Sequence, residues 1–273
     1  MNIQHRTSNA QRPSRTKQAR KLKLGLSSIA PGSPALSLSK GAKEDVGCWL
    51  AGLLQMADSF YPTGAYAHSF GLEGLVQEGC VRDRATLRTF LLEQVLPQLA
   101  RTDLAVAALA WAAAGEPPDW TRLRDICFLG SAMRGAREPR EASESIGRQR
   151  LELAALLHGG FAAEFNRRSL AEGWPRPSGV AAAIEGRAIG APCEAVLSAI
   201  IYSAVAGLVS ASVKLLRLGQ KAGQTLLAEA LAPTPLLVAE ALAVEPGEIG
   251  AFNPWWDIAA ARHESADFRL FIS

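Results

Sequence analysis

The stretch Phe60-Tyr-Pro-Thr-Gly-Ala-Tyr-Ala-His-Ser-Phe-Gly-Leu-Glu-Gly74 combines turn residues with the start of a helix. Pro62 fixes its own φ and Gly64 can adopt unusual dihedral angles, so the first part predicts a turn. From Tyr66 onward the spacing predicts a helix. One face of this helix would carry Tyr66, Phe70 and Glu73, and the next face His68 and Leu72. Two aromatic rings, a histidine and a carboxylate at a helix start form a surface that suits the recognition of a partner. They do not form a catalytic set by themselves.

Helical patterns continue outward from this stretch. Aromatic residues make up only 7% of the composition, alanine is abundant, and sustained alternation of Val, Ile and Thr is nearly absent, which favours an all-α fold. With no internal repeat and no long linker after residue 45, we expect a single helical domain over residues 46–273. The predicted helices span residues 49–57, 66–79, 84–96, 98–114, 119–134, 138–157, 160–172, 179–189, 192–216, 220–231, 235–244 and 254–264.

Proline and glycine mark the ends of these helices. Pro97 is expected to interrupt the apolar run 91–108, because it lacks an N–H donor and clashes with the preceding turn. Thr234 and Asn253, each followed by a proline, are expected to be N-caps. Gly190 suits a helix end.

The formal net charge of +3 hides an uneven distribution. Residues 1–45 contain nine Lys or Arg and two acidic residues, whereas residues 46–273 contain twenty and twenty-four. The N-terminal tail therefore carries a charge of +7 and the remainder −4. Because the tail has too little apolar residue content to fold alone, we expect it to be disordered. A nucleic-acid binder acting through this basic tail is one alternative function, but no aromatic residue alternates with the basic ones, which weakens it.

The four cysteines are far apart in the sequence, and no secretory h-region is present. We therefore expect reduced thiols, as small core residues, in a cytoplasmic protein. The uncharged stretch 195–213 reaches the length of a membrane span, but its alanines and serines favour a buried core helix. Ala199, Ser203, Gly207 and Ala211 recur at every fourth position, which lets another helix approach closely, within the subunit or across a dimer interface.

Motifs for autonomous chemistry are absent from the sequence. It has no G-x-x-x-x-G-K-[ST] phosphate loop, no G-x-G-x-x-G dinucleotide motif and no G-x-S-x-G nucleophile elbow, which argues against nucleotide hydrolysis, dinucleotide binding and serine hydrolase activity. His263-Glu264 begins like the zinc motif H-E-x-x-H, but Asp267 replaces its second histidine. A helical metal-binding protein that acts alone is the other alternative, and it would require distant histidines to converge.

Three further blocks accompany Phe60–Gly74. They are Glu138-Pro-Arg-Glu-Ala-Ser-Glu-Ser-Ile-Gly-Arg148, Arg217-Leu-Gly-Gln-Lys-Ala-Gly-Gln224, and Asn253-Pro-Trp-Trp-Asp-Ile-Ala-Ala-Ala-Arg-His-Glu264 with the closing Arg269-Leu-Phe-Ile-Ser273. In this order, the four blocks resemble the UreF family of urease accessory proteins. The resemblance extends over most of the chain after the tail and implies the same all-α fold.

The resemblance also implies a non-enzymatic adaptor in the maturation of urease by nickel insertion. UreF-type proteins are implied to form homodimers, to bind the accessory protein UreD (also called UreH) and the GTPase UreG, and to dock with them on apo-urease. The complex would handle nickel transiently, so the adaptor itself would need no cofactor. By preferring one nucleotide state of UreG, it would couple that state to nickel delivery.

The partner-binding residues implied by the resemblance lie mainly in the first and last blocks. In the first block they are Tyr66, His68 and Glu73. In the last block, implicated in binding UreD, they are Asp257, His263, Glu264, Arg269 and Phe271. Tyr202, on the small-residue helix, and the polar residues Arg217 and Gln220 complete the set. We expect removal of the chain from Trp255 onward to leave a folded body that no longer binds UreD.

Aromatic residues crowd the C-terminus, where Trp255, Trp256, Phe268 and Phe271 lie within the last nineteen residues. They should pack either on a partner or in a groove of the same subunit. Elsewhere, Arg148 and Arg150 are expected to form helix-surface ion pairs with neighbouring glutamates.

Overall fold

The computed structural model of the protein describes residues 46–266 and 268–272, and all regular elements among them are helices. The α-helices are α1 (Val46–Ala57), α2 (Leu72–Gln77), α3 (Arg84–Phe90), α4 (Leu96–Leu99), α5 (Ala105–Ala113), α6 (Trp120–Ala132), α7 (Arg137–His158), α8 (Gly160–Ala171), α9 (Ser178–Ala188), α10 (Cys193–Leu215), α11 (Gln220–Leu231), α12 (Thr234–Ala243) and α13 (Pro254–His263). Two short 3-10 turns span Ala65–Ala67 and Pro246–Glu248. The predicted all-α fold is confirmed. The tail predicted over residues 1–45 lies outside the described residues, and the boundary at residue 46 stays a prediction.

Helices α9 and α10 form the centre of the helical body. Every residue from Gly179 to Gly186 in α9 is buried, as expected for a helix that is surrounded on all sides. Helix α10 packs against α1, α2, α5, α9, α11 and α12, which confirms a core position for the stretch 195–213. By length and composition, α10 is the one described helix that could cross a bilayer, and the bent pair α11 and α12 would also pass as one broken span.

The chain continues as a helix through Pro97, contrary to the predicted interruption. Two π-helical turns, Leu91–Val95 and Ala100–Leu104, join α3, α4 and α5 into one helical segment around this proline. A π turn uses i→i+5 hydrogen bonds and widens the helix, so the missing donor and the bulk of the ring are accommodated locally.

The structure confirms two of the three predicted helix ends and the core position of two of the four cysteines. Asn253 caps α13 by accepting a hydrogen bond from the Trp256 N–H, and Gly190, with a φ of 76°, follows α9 as predicted. Thr234 is instead the first residue of α12, so its predicted N-cap position is wrong by one residue. Cys127 and Cys193 are core residues, whereas Cys48 and Cys80 are exposed.

The helix predicted from Tyr66 onward is wrong in its first part. Tyr66 lies in the 3-10 turn Ala65–Ala67, and α2 begins only at Leu72. Between them, Phe70 and Gly71 have positive φ values of 50° and 86°, and two consecutive left-handed residues cannot continue a right-handed helix. Tyr66 and Glu73 therefore do not share a helical face.

Helix α13 lies directly on α2, and two glycines make this approach possible. A Cβ atom at Gly74 would lie 2.5 Å from the carbonyl oxygen of Ala259, and one at Gly71 would lie 2.8 Å from Nε1 of Trp256. Both distances are too short for any side chain. The G-L-E-G part of the first block thus places Glu73 beneath α13.

Candidate functional site

Glu73 binds the backbone of the C-terminal segment, which we define as Phe268–Ile272. Its Oε1 accepts the N–H of Leu270 at 2.8 Å, and its Oε2 accepts the N–H of Phe271 at 3.0 Å. The Glu73 N–H itself bonds to the hydroxyl of Ser69. A buried carboxylate that accepts two consecutive amides is a strong anchor, because hydrogen bonds to a charged group exceed neutral ones in strength.

His263 lies beside this anchor, buried between two carboxylates. Its Nε2 is 3.0 Å from Oε2 of Glu73 and its Nδ1 is 2.9 Å from Oε2 of Glu138. The second oxygen of Glu138 accepts a hydrogen bond from the Arg269 guanidinium. Residues from α2, α7, α13 and the C-terminal segment thus form one charged cluster, which we call the clasp (Glu73, Glu138, His263 and Arg269).

Two exposed ion pairs flank the clasp. Arg137 of α7 forms a bidentate pair with Glu264, with distances of 3.1 and 3.0 Å. This pair holds the pKa of Glu264 below its ordinary value, mainly through the side-chain hydrogen bond. On the other side, Arg262 pairs at 3.0 Å with Glu78, the residue that follows α2. The C-terminal end of α13 is therefore tied to α7 and to the end of α2.

Aromatic packing completes the attachment of the C-terminus. The indole N–H of Trp256 donates to the carbonyl of Phe70 at 2.6 Å, and its ring meets Phe90 edge-on, with 5.2 Å between centroids. Phe271 is buried, and Nζ of Lys214 lies 5.5 Å above its ring. The C-terminal aromatic residues were expected to pack either on a partner or in a groove of the same subunit. Trp256 and Phe271 pack within the same subunit.

Apart from Phe271, the large apolar side chains of the C-terminal segment are exposed, as is Tyr66 on the turn beside it. The N–H of Ile272 donates to the carbonyl of Ala67 at 2.8 Å, and the side-chain amide of Gln77 donates to the carbonyl of Phe268 at 2.9 Å. The C-terminal segment thus runs along the turn that carries Tyr66. Four large side chains stand in solvent on these two stretches and form what we call the apolar ridge: Tyr66 at 75%, Phe268 at 83%, Leu270 at 69% and Ile272 at 62% exposure.

A second buried polar network connects the end of α1 to α7 and α9. Glu185 of α9 binds Arg150 of α7 at 2.6 Å and also accepts the Tyr61 hydroxyl, while His158 lies 3.6 Å away. Arg150 donates further to the carbonyl of Met56 at 3.1 Å, at the end of α1. The surface ion pairs expected for Arg150 are therefore wrong. Burial raises the pKa of Tyr61, so its hydroxyl remains a donor at all ordinary pH values.

A cavity of about 210 Å³ separates α10 from the clasp side of the molecule. Its walls include Phe70, Trp256 and Asp257, together with Ala199 and Ser203 of the small-residue strip. The walls are mostly apolar, and burial raises the pKa of Asp257 above its ordinary value. The strip therefore faces open space over part of its length. At Gly207, too, a Cβ atom would meet no atom of another element within 4 Å in the part of the chain that the structure describes.

The structure brings most predicted site residues together, but not all. Glu73, His263, Arg269 and Phe271 contact one another directly or through Glu138, with Glu264 adjacent. His68 is half-buried near Glu138, and burial lowers its pKa. Tyr202, Arg217 and Gln220 lie apart from the clasp and are exposed, with Arg217 in the α10–α11 connection at a φ of 53°. Within residues 46–266 and 268–272, no three His, Cys, Asp or Glu side chains are arranged for a metal ion.

Sequence reasoning missed three residues that organise these networks, namely Glu138, Arg150 and Glu185. Glu138 opens the second block, but nothing in the pattern of that block assigns a role to its carboxylate. Glu185 stands alone within the apolar run Val180–Gly186, and a single carboxylate there was the available signal, since buried charges require a partner.

Comparison with known proteins identifies the relatives of this chain. A sequence model of UreF matches residues 81–231. The urease accessory protein UreF of Methylibium petroleiphilum is 36% identical over 227 residues, which covers 82% of this chain and 94% of that protein. UreF of an Arthrobacter species is 32% identical, with 83% and 98% covered. The bifunctional urease accessory protein UreEF of Bordetella bronchiseptica is 31% identical, with 82% and 52% covered. With a helical fold that agrees, the chain belongs to the UreF family of urease accessory proteins.

Proposed function

We propose that this protein is a non-enzymatic adaptor in the maturation of urease. It binds UreD (UreH) and the GTPase UreG on apo-urease in the cytoplasm, and it couples the GTP state of UreG to the delivery of nickel. Membership in the UreF family supports this role. The similarity to part of the bifunctional UreEF protein of Bordetella further supports a function together with a second accessory protein.

The apolar ridge is the observation that carries the proposal. Four large apolar side chains in solvent are costly for an isolated protein, and they are typical of a binding surface. Their backbone is fixed by Glu73, Ala67 and Gln77, so little conformational entropy is lost when a partner covers them. We assign Phe268, Leu270 and Ile272 of the ridge to UreD, and Tyr66 to UreG. The buried clasp residues then act indirectly, by holding the ridge in place.

The open side of α10 supports a second contact surface. Tyr202 and Ser203 are exposed there, and Gly207 leaves room for a close backbone approach. Small residues at this spacing favour a helix of a second copy, so we assign this face to the homodimer. Arg217, in the connection between α10 and α11, and Gln220, at the start of α11, offer polar contacts to UreG.

Substitution of the ridge tests the proposal. We expect Leu270→Ser combined with Ile272→Ser to weaken the capture of UreD at least tenfold in a pull-down, because both side chains are exposed anchors. Leu170→Ser in α8 is the matched control, since Leu170 is 66% exposed but far from the ridge in the sequence. It should bind like the unmodified protein. Full binding by the double variant, with an unchanged circular dichroism spectrum, would remove the ridge from the interface.

Truncation before Trp255 does not separate an effect on binding from an effect on folding. It would remove Ala259, His263 and Phe271 from the interior and expose the α2 surface that they cover. Loss of binding would then reflect loss of structure.

A further inference from the structure

We propose that an exposed apolar surface around helix α1 binds an anionic lipid surface, with the help of the positive charges that precede α1 in the sequence. We call this surface the α1 face and define it by Leu50, Leu54, Phe60, Leu156 and Leu157. The inference concerns where the protein acts, and it does not depend on which partners bind the ridge or α10.

Helix α1 is apolar on all sides. Its twelve residues, Val46–Ala57, contain no charged side chain. One side packs on α10, and Met56 on that side is buried. Leu50 and Leu54, one helical turn apart on another side, are exposed. Because a helix that is apolar all round is normally buried all round, we expect the outer side of α1 to be covered by a second apolar phase.

The turn that follows α1 presents an aromatic ring to solvent. The Asp58 carboxylate accepts the backbone N–H of Phe60 at 2.6 Å, which fixes a tight turn. The Phe60 side chain is 92% exposed at this turn. A large apolar ring held outward on a short turn is unfavourable in water and suits insertion into an apolar phase.

The end of α7 adds two leucines to this surface. The Tyr61 hydroxyl donates to Oε1 of Glu185, and Nε2 of His158 lies 3.6 Å from the same oxygen. The turn after α1 and the last residues of α7 therefore lie side by side. Leu156 and Leu157, which directly precede His158, are both exposed. The α1 face thus combines side chains from three stretches of the chain and is larger than a scattered single residue.

The sequence before α1 supplies the charge that indicates an anionic lipid surface. Residues 1–43 contain nine Lys or Arg and no Asp or Glu, and six of these cations lie between Arg12 and Lys23. A polybasic segment next to exposed apolar side chains provides the two signals that stable attachment to an anionic membrane requires. Residues 1–43 contain no aromatic side chain, so base stacking does not account for the cations.

The outer side of α1 has little that could select a protein partner. Where the structure describes exposure within α1, the exposed residues are Cys48, Leu50, Ala51, Leu54 and Gln55. Of these side chains, only that of Gln55 is a strong hydrogen-bonding group. Protein interfaces carry about one hydrogen bond per 100–200 Å², whereas the hydrocarbon of a bilayer requires none. The composition of this surface therefore favours lipid.

Co-sedimentation of the full-length protein with lipid vesicles tests the proposal. We expect the protein to sediment with vesicles made of equal parts of phosphatidylglycerol and phosphatidylcholine, and to bind vesicles of phosphatidylcholine alone at least tenfold more weakly. Added salt should weaken the binding to the anionic vesicles, because it screens the attraction between the cations and the headgroups.

Variants separate the apolar contribution from the charge. Leu54→Ser combined with Phe60→Ser should lower the affinity for the anionic vesicles at least tenfold, because two large side chains no longer enter the lipid. Leu236→Ser on α12, where Leu236 is 74% exposed, is the matched control and should bind like the unmodified protein. Circular dichroism should show the same helical content in all three proteins.

Four outcomes would overturn the proposal. The first is equal vesicle binding by the double variant and the unmodified protein, and the second is equal binding to neutral and anionic vesicles. The third is binding to a DNA duplex without binding to vesicles, which would assign the cations to nucleic acid. The fourth is a change in oligomeric state in the double variant without vesicle binding by the unmodified protein, which would make the α1 face a contact between two copies of the chain.

Discussion

Nε2 of His263 and Oε2 of Glu73 lie 3.0 Å apart, although 190 positions separate the two residues in the chain. This contact brings the last helix and the C-terminal segment onto α2 and the turn before it, because Gly71 and Gly74 leave space for α13. The hydrogen bonds that the buried Glu73 carboxylate accepts from the C-terminal segment thus hold the exposed apolar ridge in place.

Glu73→Gln should destabilise the protein by about 1–3 kcal/mol, because the new side-chain amide turns an NH₂ group toward the backbone N–H donors that the buried carboxylate accepts. Chemical denaturation followed by circular dichroism measures this loss. Glu78→Gln, which removes only the exposed pair with Arg262, should cost less than about 1 kcal/mol. Equal losses for both variants would contradict the assigned role of Glu73.

Gly74→Ala should lower the free energy of unfolding by about 1–3 kcal/mol. The new methyl group would lie only 2.5 Å from the carbonyl oxygen of Ala259. Gly207→Ala is the matched control within another helix. Among residues 46–266 and 268–272, the new Cβ would meet no atom outside its own helix within 4 Å, so the monomer should gain up to about 1 kcal/mol from the better helix former. Thermal unfolding of both variants decides the point. A neutral Gly74→Ala would mean that α13 does not lie as close to α2 as described.

Arg150→Ala should destabilise the protein by about 3–5 kcal/mol, because Glu185 would remain buried without its guanidinium. Arg148→Ala, at an exposed position two residues earlier, should change stability by less than about 0.5 kcal/mol. If the cost arises from the uncompensated charge, Glu185→Gln in addition to Arg150→Ala should restore part of the loss. A double variant as unstable as the sum of the single ones would exclude this coupling.

The Arg137–Glu264 pair should respond to acid. Because Arg137 lowers the pKa of Glu264 in the folded protein, the pair stabilises the fold above the pKa of an unfolded glutamate, about 4.3. This contribution is lost as the pH falls through the lower, folded-state value. A carboxyl ¹³C titration of Glu264 should show a midpoint below that of a free glutamate, and Arg137→Gln should raise it. An unshifted midpoint in the unmodified protein would show that the pair is not formed in solution.

Tyr66→Ala should weaken assembly with UreG while the helical content stays unchanged, because Tyr66 is exposed on a short turn and supports no core packing. Calorimetry measures the affinity, and circular dichroism provides the structural control. Phe252→Ala, another strongly exposed aromatic outside the ridge, should leave the affinity unchanged. An affinity for UreG that is equal in both variants and the unmodified protein would count against Tyr66.

Local signals in the sequence were sufficient for the helical body. Alanine-rich periodic stretches, the cap at Asn253 and the glycine at Gly190 all act within one or two turns, so the sequence predicts them well. The continuous helix through Pro97 and the left-handed pair at Phe70 and Gly71 depend instead on how the chain packs around them. Local patterns did not predict either feature.

The candidate site shows the same division. The structure brings the first and last blocks into contact, yet nothing in their spacing indicates that Glu73 and His263 meet, or that Glu138 joins them. Exposure was the least predictable property. Phe271 is buried while its neighbours Leu270 and Ile272 are exposed, and this pattern depends on the bend at Leu270 and Phe271 where both amides bind Glu73.

The anchoring of Leu270 by Glu73 spans 197 positions and therefore sets an order of events during synthesis. While the ribosome is still producing the middle of the chain, α2 has no cover, and its carboxylate stays hydrated. Contacts of such long range form late and at a high entropic cost. The nascent protein thus completes its interior only when the final helix has emerged, and the ridge first exists at that moment.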